Sequence, residues 1–144
     1  MFKTLLTVSL FLVGYAFAAD LPIGYVKTVT GEASITMDGK KEKAVIGSPV
    51  HQGSVLQTGA NSSMGVTFKD ETLMSFGADT VFTVDEYLYS PSQGKLKLSS
   101  KLLKGSLNYV SGVIAKLKPE AVSVSTPSGI VGVRGTQFLA KIEE

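Results

Sequence analysis

The chain has 144 residues, and its 14 basic and 12 acidic side chains leave a net charge of +2. This length suits one domain, and the near balance of charge provides no basic field for nucleic-acid phosphates. The sequence has no cysteine and one histidine, which excludes disulfide scaffolds, thiol chemistry and zinc sites built from several such ligands. We therefore predict no metal or other cofactor and no nucleic-acid partner, in a domain that binds or signals rather than catalyses.

Residues 1–18 have the pattern of a secretory signal peptide. A lysine near the start precedes an apolar stretch, and Ala16-Phe17-Ala18 offers a small-residue cleavage site. The apolar stretch is shorter than the roughly 20 residues that a membrane-spanning helix needs. We predict cleavage after Ala18 or one residue later, export to the periplasm or the medium, and a single mature domain over residues 19–144 without a membrane span.

Apolar and polar residues alternate along most of the mature chain, as in Ala33, Ile35 and Met37 with the polar residues between them. This period of two is typical of half-buried strands, and turn-forming residues separate the strands at short intervals. We predict an all-β fold, either a small twisted β-solenoid-like domain or a β-sandwich of the jelly-roll kind. The predicted core is Ile35, Val66, Phe68, Phe82, Val84, Leu96, Leu98, Val122, Val124, Val133 and Phe138.

Glycines recur every six residues at Gly47, Gly53, Gly59 and Gly65. A six-residue period is typical of a hexapeptide β-helix, in which an aliphatic residue recurs at a fixed place in each repeat. Here the preceding residues include a glutamine and a threonine, so the match is weak. We favour the simpler interpretation that these glycines mark tight turns between short strands.

Residues 100–118 carry two competing patterns. Five aliphatic residues have helical spacing, but Gly105 and Gly112 each cost about 1 kcal/mol inside a helix. Tyr109 and its β-branched neighbours at 110, 113 and 114 also favour a strand. We predict strand here, with a single helical turn near residues 116–120.

Two segments change the face on which their apolar residues lie, namely 80–89 and 130–142. A shift of one residue turns every later side chain to the opposite face of a sheet, so each segment needs a bulge, a twist or a passage between sheets. For the second segment the simplest interpretation is a bulge centred on Arg134 and Gly135.

The run STPSGIVGVRGTQF, residues 125–138, resembles the closing signature of FecR-like domains, in which a Thr-Pro turn leads to a Val-Arg-Gly-Thr-x-Phe strand. Residues 53–59 (GSVLQTG) resemble the glycine-flanked turn and strand of that family, and residues 65–70 (GVTFKD) resemble the strand that enters its Asp-Gly hairpin. The resemblance covers roughly residues 24–142. The residues of the closing motif are Thr126, Pro127, Gly129, Val133, Arg134, Gly135, Thr136 and Phe138.

The resemblance implies a β module of the cell envelope that serves as a sensor or adaptor for another protein. Regulatory FecR proteins couple this domain through a membrane helix to a cytoplasmic anti-sigma segment, and nothing in this sequence corresponds to either. We therefore expect a stand-alone domain. Glu71 stands where the family usually has glycine, which disfavours a positive φ and predicts a differently shaped hairpin tip.

Arg134 is the only arginine among 14 basic residues. Its planar group of five donors suits backbone carbonyls freed by a bulge, so we interpret it as structural. The alternative is that it binds a carboxylate or phosphate of a ligand.

Three functions remain open at this stage, and we favour a non-catalytic module that binds an unidentified envelope protein. The second is a glycan or small-ligand binder, which needs Tyr87, Tyr89 and Tyr109 together on one exposed face. The third is a hydrolase, which needs His51 within hydrogen-bond reach of a serine and a carboxylate.

Overall fold

The computed structural model describes residues 21–133 and 135–142, which form strands almost throughout. The predicted signal peptide and Arg134 lie outside these described residues. The elements are β1 (Gly24–Thr30), β2 (Ala33–Met37), β3 (Lys40–Lys43), β4 (Pro49–Val50), β5 (Val55–Thr58), β6 (Ser63–Phe68), β7 (Leu73–Phe76), β8 (Val81–Ser90), β9 (Lys95–Lys104), β10 (Ser106–Val110), α1 (Val113–Leu117), β11 (Val122–Thr126), β12 (Gly129–Gly132) and β13 (Gln137–Lys141).

The strands form two open sheets, with the orders β13-β10-β7-β6-β1-β4 and β12-β11-β9-β8-β5-β2-β3. Neighbouring strands are antiparallel except β9 and β11, which are parallel. The predicted all-β fold is confirmed, and this topology decides for the sandwich over the solenoid. Gly47 and Gly53 do lie in turns with positive φ, whereas Gly65 lies inside β6.

The core lies between the two sheets. Phe76 on β7 contacts Phe82 on β8 with ring centroids 4.8 Å apart, and Phe68 on β6 stacks on Tyr87 of β8 at 5.7 Å. Of the predicted core residues, Leu96 and Phe138 are partly buried against the core. The others are buried, namely Ile35, Val66, Phe68, Phe82, Val84, Leu98, Val122, Val124 and Val133. Alternation therefore identified the inner faces correctly.

The predicted change of face within residues 80–89 is a β-bulge in β8. The pairing of β8 with β9 shifts between Val84 and Glu86. Val84 before the bulge and Tyr87 after it are both buried, although their residue numbers differ by three and a regular strand would place them on opposite faces. The extra residue, Asp85, absorbs the shift and stays exposed.

The second change of face has a different cause from the one predicted. β12 belongs to the seven-stranded sheet and β13 to the six-stranded sheet, so the chain crosses the sandwich over residues 133–136. The expected bulge centred on Arg134 and Gly135 is therefore wrong. Val131 on β12 and Phe138 and Ala140 on β13 are on the core side of their own sheets, and the parity changes because the inner faces of the two sheets point toward each other.

Residues 100–118 are strand in β9 and β10, as predicted, and then form the five-residue helix α1. The strand prediction is wrong for Val113 and Ile114, which begin α1. A 3₁₀ turn at Pro119–Ala121 follows, so the predicted helical turn is present and starts three residues earlier than expected. Ile114 and Ala115 are buried, and this contact fixes so short a helix.

The β6–β7 hairpin corrects the expectation for Glu71. Its φ is +71°, so the turn has a positive φ despite the side chain. The Phe68 N–H donates to the Thr72 carbonyl at 2.9 Å, and the Glu71 N–H donates to the Phe68 carbonyl at 3.0 Å. These bonds, with the burial of Asp70 beside it, hold Glu71 in a conformation that the residue alone disfavours.

Candidate functional site

The first half of the closing motif makes the turn between β11 and β12. The Thr126 hydroxyl donates to the Gly129 carbonyl at 2.9 Å and accepts from the Ser128 N–H at 3.3 Å. Pro127 lies inside this turn, and Gly129 has a φ of +147°. These residue types are explained by turn geometry, because a threonine hydroxyl can replace a backbone partner and glycine accepts the unusual φ.

The second half of the motif fastens the crossing between the sheets to β10. Val133 is buried, and the carbonyl of Gly135, with φ +98°, accepts from the Ser111 hydroxyl at 2.9 Å. The Thr136 carbonyl accepts from the Ser111 N–H at 2.8 Å. Phe138 stacks on Tyr109 with ring centroids 4.9 Å apart. These contacts hold the end of the motif against the segment 109–111, and the structural role of the motif residues, Arg134 included, stays a prediction.

A buried carboxylate next to this region was not predicted. Asp70, in the β6–β7 hairpin, is 0% exposed. Its Oδ1 accepts from the Tyr87 hydroxyl at 2.9 Å and the Thr72 N–H at 3.4 Å. Its Oδ2 accepts from the Thr72 hydroxyl at 2.7 Å and the Ile114 N–H at 3.1 Å. All four partners donate, which suits an ionised carboxylate because it can only accept.

The backbone of Asp70 extends the same network. Its N–H donates to the Tyr87 hydroxyl at 3.0 Å, and its carbonyl accepts from the Val113 N–H at 2.7 Å. Asp70 thus supplies the N-terminal capping contacts of α1 from a distant hairpin, in place of a side chain next to the helix. Gly112 leaves the space for this approach, because a Cβ there would overlap the Thr72 nitrogen and the Asp70 carbonyl oxygen.

We call Asp70, Thr72, Tyr87 and Ile114 the Asp70 hub. Burial, with the nearby Asp70 carboxylate, raises the pKa of the Tyr87 phenol far above its ordinary value of 10.0. Burial also raises the pKa of Tyr109. The hub joins three distant parts of the chain and is covered from solvent, so it fixes shape rather than presenting a reactive group.

The other sequence candidates are separated or engaged. Tyr87 and Tyr109 are buried and Tyr89 is partly buried, so the three do not form an exposed aromatic face. Ser54 accepts through its hydroxyl from the His51 backbone N–H at 3.0 Å, and none of the described residues hydrogen-bonds to the His51 imidazole. In the described part of the chain there is also no cluster of three or more histidine and acidic side chains that could hold a metal.

A polar groove of about 590 Å³ lies at one end of the seven-stranded sheet. Ser34 and Gln57 line it from β2 and β5, and they lie directly opposite each other on these neighbouring strands. Its lining also includes three lysines and three acidic residues, namely Lys41, Lys43, Lys104, Glu32, Glu42 and Asp79. The charges balance, so the groove suits a polar ligand without a large net charge.

The sheet edges differ in their protection against pairing with another chain. β3 is Lys-Lys-Glu-Lys, and β4 is two residues long and begins with proline. Charge, proline and short length each discourage the addition of a strand. β13 carries one lysine, Lys141. β12 is Gly-Ile-Val-Gly and has no charged residue and no proline.

Exposed apolar side chains accompany the unprotected edge. Ile130 is 74% exposed on β12, and Leu139 is 73% exposed on β13. These edge strands lie on the same side of the sandwich, because the four residues 133–136 that join them can span at most roughly 14 Å. We call this the β12–β13 side.

Among the described residues, no helix has the length and apolar character needed to cross a membrane. A comparison with protein-family models matches residues 54–144 to the model described as FecR protein. No curated protein matches the chain significantly. No solved structure does so either.

Proposed function

We propose that this chain, which belongs to the FecR family, is a non-catalytic module of the cell envelope that binds another protein there and takes part in sensing or signalling. In this proposal residues 1–18 direct export and are removed near Ala18. The domain then acts in the periplasm or outside the cell. The intact mass of protein recovered from the envelope should correspond to a chain that begins at Ala19 or Asp20.

The β12–β13 side carries the proposal. Ile130 and Leu139 each expose about three quarters of their surface on edge strands, where a partner can reach both side chain and backbone. Exposed aliphatic residues next to unpaired strand edges favour aggregation, and a bound partner that covers them lowers this tendency. The opposite side differs because its edge strand β3 is highly charged.

Two observations support a role without catalysis. The Ser54 hydroxyl is buried, accepts from the His51 backbone and donates to the Met37 sulfur at 3.7 Å, which leaves it poorly placed as a nucleophile. The buried Asp70 carboxylate is saturated by four donors, so it is not available to a substrate.

Site-specific photo-crosslinking in living cells tests this proposal. A benzoylphenylalanine residue at position 130 or 139 should form a discrete adduct with one envelope protein. The matched control is position 46, because Ile46 is 71% exposed on the loop between β3 and β4. Adducts of equal yield at all three positions, or at none, would contradict a binding role for the β12–β13 side.

The polar groove favours a second candidate function, the binding of a small ligand or envelope glycan. Its balanced charge and its polar lining residues, such as Ser34 and Gln57, suit a neutral or zwitterionic polar molecule. Thermal-shift measurements with neutral, zwitterionic and anionic oligosaccharides test this candidate. Gln57→Leu should abolish a stabilisation that arises in the groove, and Ile130→Lys should leave it unchanged.

A further inference from the structure

We propose that β12 binds an extended segment of a partner polypeptide as an added strand of the seven-stranded sheet. This inference rests on the proposed function and specifies how the partner is held. Strand addition uses backbone hydrogen bonds for affinity and the alternating side chains for specificity.

β12 has one edge available for such pairing. Its register with β11 runs from Ser123 opposite Gly132 to Thr126 opposite Gly129. Across its other edge there is no strand among the described residues. All four residues of β12 are exposed. With neither charge nor proline, β12 lacks the features by which β3 and β4 discourage pairing.

The two central residues of β12 face opposite sides of the sheet. Val131 lies opposite Val124, which is 0% exposed, so Val131 is on the core face. Ile130 lies opposite Ser125 and is on the outer face. Val131 remains 37% exposed because the core ends there. An added strand would therefore cover Val131 at the margin of the core and Ile130 on the outer surface.

A second copy of this chain fits the edge poorly. In a continuous sheet made by two antiparallel copies related by a two-fold axis, the core faces of both copies lie on the same side. A core-facing residue of one copy must then lie opposite a core-facing residue of the other. Since faces alternate along a strand, the numbers of two opposing residues must add up to an even number. Val131 then opposes Val131 while Ile130 opposes Gly132, or Ile130 opposes Ile130 while Val131 opposes Gly129. Either register leaves one aliphatic residue against glycine.

A partner of different sequence has no such constraint. It can place aliphatic residues opposite both Ile130 and Val131, one on each face. A charged residue opposite Val131 would be desolvated at the margin of the core, which is unfavourable. The expected partner is therefore an extended, uncharged segment with two successive aliphatic or β-branched residues.

The probe is a capped synthetic peptide, Ala-Val-Ser-Val-Val-Thr-Pro, which copies residues 121–127 with Ser125→Val. It repeats the native register of β11 and adds an aliphatic residue opposite Ile130. Titrated into the ¹⁵N-labelled protein, it should shift the amide signals of residues 129–132 in a saturable way. A second peptide with lysine at the position of Val124 should bind roughly tenfold more weakly or not at all.

Two protein variants localise the binding. Ile130→Lys should weaken peptide binding roughly tenfold, because an edge lysine blocks strand addition and position 130 is exposed enough to leave the fold intact. Ile46→Lys is the control, since Ile46 is 71% exposed on the loop between β3 and β4, away from the β12–β13 side, and it should change the affinity less than about twofold. Circular dichroism verifies that both variants are folded.

Three results would overturn the inference. They are saturable shifts confined to β3 or β13, no binding at millimolar peptide, and a concentration-dependent dimer that Ile130→Lys abolishes, which would identify a second copy as the occupant. Crosslinking at position 130 without peptide binding would refute strand addition and leave the protein-binding role standing. Peptide binding at residues 129–132 without any crosslink would refute the protein-binding role in the cell and leave standing the ability of β12 to accept an added strand.

Discussion

Replacing Tyr87 by phenylalanine removes one oxygen atom from the Asp70 hub. The ring, which stacks on Phe68, is retained, so the apolar packing changes little. The hydroxyl both donates to Asp70 Oδ1 at 2.9 Å and accepts from the Asp70 N–H at 3.0 Å. Tyr87→Phe therefore leaves a buried N–H without its acceptor and a buried carboxylate without one of its donors.

The magnitude follows from these two bonds. A hydrogen bond to a charged group contributes roughly 1.5–3 kcal/mol, and a neutral one about 1 kcal/mol. We expect Tyr87→Phe to lower the free energy of unfolding by about 2–4 kcal/mol. For a domain of this size the corresponding fall in Tm is on the order of 10 °C.

Urea unfolding followed by circular dichroism, with calorimetry for Tm, measures this loss. Tyr89→Phe is the matched control, because Tyr89 lies two residues further along β8 and has no hydroxyl hydrogen bond among the described residues. It should change the free energy of unfolding by less than about 0.5 kcal/mol. Equal stability of Tyr87→Phe and the parent would refute the view that the Asp70 hub stabilises the fold.

Four further predictions test particular positions. Because the pKa of Tyr87 is raised in the folded state, the unfolded chain releases its phenolic proton above pH 10 while the folded chain keeps it. The contribution of this group to the free energy of unfolding should therefore be constant below pH 10 and fall above it by up to about 1.4 kcal/mol per pH unit. In urea midpoints measured from pH 8 to 12, the fall should be shallower for Tyr87→Phe than for the parent. Gly112→Ala should cost about 3 kcal/mol in urea unfolding because its Cβ overlaps backbone of the β6–β7 hairpin, while Gly132→Ala, whose Cβ meets open space, should be neutral. Glu71→Gly should raise the free energy of unfolding by about 0.5–1 kcal/mol, and with it Tm, because glycine adopts the positive φ of this position without strain. A lower Tm would mean that the glutamate side chain stabilises the turn. Arg134→Lys should cost about 1–3 kcal/mol in thermal unfolding if its planar donors bind backbone carbonyls, whereas unchanged Tm with lost affinity for an anion or partner would make it a ligand residue.

The β character of the chain and most of its core follow from the pattern of apolar and polar residues alone. Alternation is a local property with a period of two, so it identified the inward positions on both sheets, such as Val66 and Val124. The same reasoning located the change of face within residues 80–89, and the pairing of β8 with β9 shows that its cause is a bulge. The turn at Thr126 and Pro127 could likewise be predicted, since the residue types there are those that turn geometry requires.

Features that depend on contacts between distant parts of the chain could not be predicted from local patterns. Asp70 lies 17 residues from Tyr87 and 44 from Ile114, and no local pattern distinguishes a buried aspartate in a hairpin from an exposed one. The start of α1 depends on that carboxylate and on burial of Ile114, which explains why local propensity favoured a strand there. A change of parity in residues 130–142 is equally consistent with a bulge and with a crossing between sheets, and only the pairing of β12 with β11 and of β13 with β10 separates the two. The same pairing leaves β12 at an edge of its sheet. The position of a strand within a sheet depends on how all the strands pair, so the residues of β12 alone do not predict it.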